Sequence, residues 1–429
     1  LHSSVFGASL RLSFLAAALT AFSLPASSAP SFTKLYSFCQ QANCTDGANP
    51  HLASPFVLAN GDIIGTTEKG GDFNSGTIWQ LKKDGGGYTY SRIRNFCGDA
   101  PVCTDGGYPI GQLIQDKDGN LYGVASYGSR IYKLAPNAQH TAWTYSVVYS
   151  FTDASKGFSP GAGLAYQGQA EGEPWDGKSA LYGSTLTGGT AFQGVVYRLN
   201  PQGGAWTQDV LYNFCSKTDC ADGGMPTYVR LLVDKTGKTL TGTTNSGGAD
   251  SGGVVYRLTG GKKGWKYTVL HDFCSKEPLC ADGNHPNAGV IADADGNLYG
   301  TTISTALDGG IVYKLTSGKK PKFSVIHHFC QVTGCTDGDS AWAGLAMNAR
   351  GTLYAVTRDG ALGGGTVVAL AKKGKTYKPT VLYTFCTEAN CTDGKNPWSA
   401  VTLGADGTLF GMTTIGGANS SGVVFSIAP

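Results

Sequence analysis

Six aspartates recur at one place in a repeated phrase. "HDFCSKEPLCADGNHP", "YNFCSKTDCADGGMP", "HHFCQVTGCTDGDSA" and "YTFCTEANCTDGKNP" each carry a close pair of cysteines followed by Asp-Gly. The carboxylates concerned are Asp46, Asp105, Asp222, Asp282, Asp337 and Asp393, usually with a proline four residues later. Two chemistries suit such a set. Carboxylates ringing a channel mouth could bind a cation, and a pair roughly 5 to 9 Å apart in unlike surroundings could act as acid and base on a glycosidic bond. Repetition weakens the second, because no pair is set apart. The plainer alternative is that each Asp caps its own turn while the following Gly takes an unusual backbone angle.

Function is expected where the repeats disagree. Trp342 and Trp398 follow the proline slot of their repeats, and His51 follows it in the first. Flat rings with polar edges beside carboxylates are what a sugar needs, with its C–H face stacking and its hydroxyls hydrogen-bonding; ordinary packing between repeats is the alternative. A second departure is "FTDASKGFSPGAG", which lacks the cysteines and puts Lys156 in place of the Asp, next to a shortened loop in "GVASYGSRI". Together these predict a notch lined by Tyr127, Arg130, Lys156 and Phe158. The formal G-x-S-x-G at Gly157–Gly161 is not a nucleophile elbow, since Pro160 cannot supply the N–H that an oxyanion hole needs. "DKDGN" and "DADGN" resemble calcium loops but lack the remaining ligands, and read as hairpin turns.

All twelve cysteines fall in close pairs: Cys39 with Cys44, Cys97 with Cys103, Cys215 with Cys220, Cys274 with Cys280, Cys330 with Cys335, and Cys386 with Cys391. Such pairs read as six local disulfides of an oxidising compartment, each worth about 2 kcal/mol in the chain-entropy model. One thiolate metal site would need about four ligands, more than a single pair offers; neither metal nor cofactor is expected. The first residues agree with export: Arg11, an apolar run from Leu12 to Leu24, then small residues to Ala29, read as a secretory signal peptide over 1–29. The run is too short, and too interrupted by Pro25, to span a membrane.

With 63 glycines, 3 methionines and a net charge of +3, the composition favours short strands and tight turns. The phenylalanines at 38, 96, 151, 214, 273, 329 and 385 mark seven repeats with steps of 55 to 63 residues. In the fifth, "AGVIADADGNLYGTT", "DGGIVYKL" and "KFSVIHHF" spell four antiparallel strands. The last repeat stops one strand short, and "FTKLYSF" at the start of the mature chain matches the missing one. The expected fold is all-β, a single seven-bladed β-propeller over 30–429 whose last blade is closed by the N-terminal strand.

"DADGNLYGTT", "GGIVYKL", "SGGVVYRL" and "LYSF" followed by "TDGANP" are similar to the tandem repeats of the choice-of-anchor GloVer-containing proteins, secreted bacterial proteins. The resemblance covers the whole mature chain. It implies a propeller-like architecture and names no activity. Members often carry a C-terminal anchor; none follows here, from which a free, soluble monomer is expected, and the paired cysteines elaborate the usual Gly- and Ser-rich loop.

Three functions follow from these signals. The first is a binding or scaffolding module for carbohydrate or another cell-surface ligand on the disulfide-bearing face. The second is a glycan-acting hydrolase or lyase using carboxylates of that face, for which no convincing catalytic set is present. The third is an envelope-associated interaction protein: "LKKDGGG", "GGKKGW", "SGKKPK" and "AKKGKTYK" collect lysines on the opposite face, where an anionic polymer could bind. No nucleic-acid motif accompanies them.

Overall fold

The computed structural model describes residues 29–99, 102–161, 163–226, 228, 230–276, 280–304 and 309–428. The segment expected to be a signal peptide lies, up to residue 28, outside them. Seven antiparallel sheets form the blades; the innermost strand is only two or three residues long in every blade but the second, where it runs Gly107–Gln115. Blade one is Phe56–Val57, Ile63–Thr67, Thr77–Asp84 and Gly87–Asn95; blade six is Ala346–Met347, Leu353–Thr357, Thr366–Lys373 and Thr376–Thr384. Blade seven is Thr402–Leu403, Leu409–Thr413 and Val423–Ala428, completed by the N-terminal strand Ser31–Ser37, which pairs antiparallel with Val423–Ala428. The expected seven-bladed propeller and its closure by the first strand are both present.

Glycine in the second strand of the blade has a steric cause. Gly300 lies opposite Tyr313 in the register, and a Cβ there would sit 2.4 Å from the tyrosine hydroxyl oxygen. The same pairing joins Gly65 to Trp79, Gly123 to Tyr132, Gly183 to Tyr197, Gly242 to Tyr256 and Gly411 to Phe425. Blade six pairs Ala355 with Val368 instead: where the ring is lost, the Cβ returns. A large ring of the third strand thus lies flat on the bare backbone of the second, which is why the glycine of "LYGTT" recurs at this place in six blades.

The hydrophobic core runs between blades. One cluster joins Tyr299, Val312 and Phe329 of blade five to Leu345, Leu353 and Val368 of blade six. Every marker phenylalanine is buried, and each contributes about 1.5–3 kcal/mol relative to exposure. The outermost strand carries one extra residue at the same place in all seven blades, as between Val325 and His327, a β-bulge that adds twist. Among the described residues no helix is long and apolar enough to cross a membrane.

Candidate binding site at the mouth of the channel

The cysteine loops and the loops between second and third strands meet on one face, the top. Short bridges tie them: Ala48 to Lys69, Gly224 to Ser246, Asn284 to Ser304, Asp339 to Asp359 and Lys395 to Ile415. All six disulfides are formed. The six aspartates, however, do not ring the channel mouth; none of them lines the channel. Each turns back beneath its own disulfide loop towards the outermost strand. Asp222 is fully buried and accepts from the Tyr212 hydroxyl at 2.6 Å, the Ser216 hydroxyl and N–H, and the Lys217 N–H. Burial opposes its ionisation, yet those donors outweigh it and hold the carboxyl below its ordinary range. Asp46 and Asp393 repeat the arrangement with Tyr36 and Tyr383, Asp337 and Asp282 face His327 and His271, and Asp105 faces Arg94.

Three of these aspartates also join neighbouring blades through their carbonyls. Tyr90, Tyr145 and Tyr267 donate to the Asp46, Asp105 and Asp222 carbonyls from the following blade, each at 2.5 Å. Tyr212 also stacks on Tyr267 at 4.1 Å between ring centres, and Tyr36 on Tyr90 at 4.3 Å. The Asp-Gly phrase is therefore a clasp between blades, a physical reason for its repetition that needs no metal and no catalysis. "DKDGN" and "DADGN" likewise close on themselves, with Asp116 and Asp293 each accepting from the Asn N–H four residues on and from a tyrosine hydroxyl.

Trp342, Trp398 and His51 do come together. The indole centres of Trp342 and Trp398 are 4.6 Å apart, and the His51 ring meets Trp398 edge-on at 4.8 Å. Local backbone geometry places them: Asn49, Ser340 and Asn396, two residues ahead of each ring, adopt left-handed φ near 55°, turning the chain from the rim down into the innermost strand. Asn396 then reaches sideways, donating to the Arg358 carbonyl and the Asp359 carboxylate, each at 3.0 Å.

Two charged pairs surround the rings, and neither was legible beforehand. Arg358 lies 5.2 Å from both indole centres and donates from Nε to Asp359 at 2.6 Å. His51 Nδ1 is 2.7 Å from the Glu68 carboxylate; that bond holds the Glu68 carboxyl below its usual value against the opposing effect of burial. Among the described residues the Trp342 indole N–H has no acceptor. His51, Glu68, Lys69, Arg358, Asp359 and Trp398 bound a cavity of about 480 Å³. Trp342 and Trp398 also line the central channel, a second cavity of about 400 Å³ that Tyr228 enters from blade four.

The notch on blades two and three exists in altered form. Gly128 and Ser129, both at positive φ, close a two-residue hairpin between Leu121–Tyr127 and Arg130–Pro136. Tyr127, Arg130 and Phe158 line a cavity of about 430 Å³ with Tyr108 and Val102. Lys156 is not among them: it turns outward towards Asp153 at 4.0 Å. Arg130 is spent on the Thr104 and Gly128 carbonyls. Ser159 of the G-x-S-x-G sits in the short strand Phe158–Pro160, and its N–H donates to the Ser129 hydroxyl.

The model of the Gloeobacter/Verrucomicrobia repeat matches residues 20–173, 165–334 and 304–429, which together span almost the whole sequence. The chain belongs to the Gloeobacter/Verrucomicrobia repeat family. Among solved structures, this Gloeobacter/Verrucomicrobia repeat protein resembles a catalytically inactive virginiamycin B lyase from Staphylococcus aureus with quinupristin. The TM-score is 0.56 at 12% identity, over 93% of this chain and 99% of the lyase. It also resembles the Cps50 (Swd1) β-propeller domain of Myceliophteria thermophila, with TM-score 0.54 and 9% identity over 88% of this chain and 96% of that domain. Identities this low show a shared fold alone. No curated protein matches the sequence.

Proposed function

We propose that this protein is a secreted binding module whose top face recognises carbohydrate at the junction of blades six, seven and one. Trp342 and Trp398 with Arg358 between them carry the reading: two half-buried indoles and a guanidinium converge on one channel mouth. Stacking there would be accompanied by hydrogen bonds that sugar hydroxyls donate to Glu68 and Asp359 and accept from the unpartnered Trp342 N–H, the mixture of apolar face and directed polar groups that a sugar ring uses. Six disulfides and the apolar leader support secretion.

The test is a glycan array probed with the protein beside a Trp342→Ala, Trp398→Ala variant whose fold is checked by circular dichroism. Binding lost in the folded variant supports the site. Binding retained by it moves recognition off this face, and release of reducing ends by the native protein would replace a binder with a hydrolase.

A further inference from the structure

One position of the repeat lines the channel in every blade. Two residues ahead of the innermost strand pair stand Ser54, Gln112, Gly163, Arg230, Gly289, Gly344 and Ala400, and all seven face the central cavity. Five are small and one is a neutral amide. Arg230 alone brings a charge.

Its surroundings do not neutralise that charge. Nε donates to the Leu164 carbonyl at 3.2 Å and Nη1 to the Gln112 side-chain oxygen at 2.5 Å. Gln169, with its amide turned to face the guanidinium, accepts from it as well. All three partners are neutral, and among the described residues no carboxylate forms an ion pair with Arg230. A guanidinium has five N–H donors; three bonds leave two over. Partly exposed to the channel and backed by protein, the guanidinium is pushed down to about 10 by burial and is still a cation at neutral pH. A partly buried charge held by neutral amides is oriented without being cancelled, which is the condition of an oxyanion receptor.

The channel has room for a ligand beside Arg230. Blade three has a long connection between Ala165–Tyr166 and Leu181–Thr187, and its short 3-10 turn Gln169–Glu171 places Gln169 and Ala170 in the cavity wall beside Arg230. The small residues at the equivalent positions leave the remaining width open, and about 400 Å³ lies within the range of small-ligand pockets, about 300–1,000 Å³. Trp342 and Trp398 belong to the same cavity.

We infer that Arg230, Gln112 and Gln169 form an anion-binding site inside the channel, and that the ligand is an acidic saccharide whose carboxylate pairs with Arg230 while its ring stacks at the mouth. The saccharide part rests on the binding function proposed above; the anion site does not.

The test uses the full chain, a trimer of galacturonic acid and the same trimer with its carboxyls reduced to alcohols. Titration calorimetry should show the acidic trimer bound at least tenfold more tightly, with that preference abolished by Arg230→Gln and reduced by Arg230→Lys, which keeps the charge and loses the fork. Equal affinity for both trimers, or a preference that survives Arg230→Gln, overturns the acidic assignment while leaving a neutral-sugar site intact. Thermal unfolding in rising acetate at constant ionic strength tests the anion site without any sugar. The native protein should be stabilised by acetate and Arg230→Gln should not; the same acetate response in both overturns the anion site. Failure of both trimers to bind, with the Arg230-dependent acetate response preserved, removes the saccharide and keeps the anion. Arg230→Gln should melt no lower than the native protein without ligand, the reverse of what a purely structural arginine would do.

Discussion

Arg358 lies over the face of Trp398 at 5.2 Å while its Nε is bonded to Asp359, so the guanidinium is held between a π-face and a carboxylate. It cannot rotate away without losing both. Arg358→Lys keeps the charge but gives up the planar fork and the stack. Sugar affinity should fall by about fivefold to thirtyfold, a loss of about 1–2 kcal/mol, while the unfolding midpoint changes little. Calorimetry and thermal melting on the same preparation separate the two.

The aspartate clasp should matter more to stability than the disulfide above it. Removing the Asp222 carboxylate leaves the Tyr212 and Ser216 hydroxyls and two N–H groups without their acceptor. Asp222→Ala should cost about 2–4 kcal/mol, against about 2 kcal/mol for replacing Cys215 and Cys220 by serine. Urea denaturation of both variants gives the order, and a reversed order would mean that the loop is held by its covalent bond.

Gly300 and Tyr313 form a pair whose replacement is already written in blade six as Ala355 and Val368. Gly300→Ala alone should destabilise by about 1–3 kcal/mol through overpacking against the ring. Adding Tyr313→Val should recover part of that loss, and the double-mutant cycle should show coupling of opposite sign to the single effect. Additive effects would show that the ring does not occupy the space a Cβ needs.

Three histidines make stability depend on pH in a set direction. Burial lowers His271, His327 and His328 below their ordinary value; Asp282 and Asp337 partly oppose this for the first two. The unfolded chain therefore takes up protons near pH 6.5 that the folded chain refuses. Stability is full above that value and is lost as pH falls towards the folded values. The denaturation midpoint should decline between pH 7.5 and 5, before most carboxylates titrate. A flat profile across that window would place these imidazoles in water.

The propeller was legible because the repeat is carried by turns and by small-against-large pairs, which the order of residues states directly. Trp342, Trp398 and His51 were legible as neighbours because they share one register position in three consecutive blades. The aspartates were misplaced because their partners lie on the outermost strand about ten residues upstream, as Tyr212 lies from Asp222, and a loop can fold outward or inward with the same spelling. Arg358 and Glu68 stand in loops between second and third strands, where spacing gives the length but not the side chain that turns to the mouth. Lys156 failed for the same reason. Arg230 could have been found, since aligning the residue two ahead of each innermost pair isolates it among small and neutral side chains.

Recognition at the channel mouth is tested most directly by titrating the native protein and the Trp342→Ala, Trp398→Ala variant with whichever glycan the array selects, in the same buffer. Truncating two stacked indoles should weaken binding by at least a hundredfold, with the fold of the variant unchanged. Native-like affinity in the folded variant would contradict a carbohydrate site between blades six, seven and one.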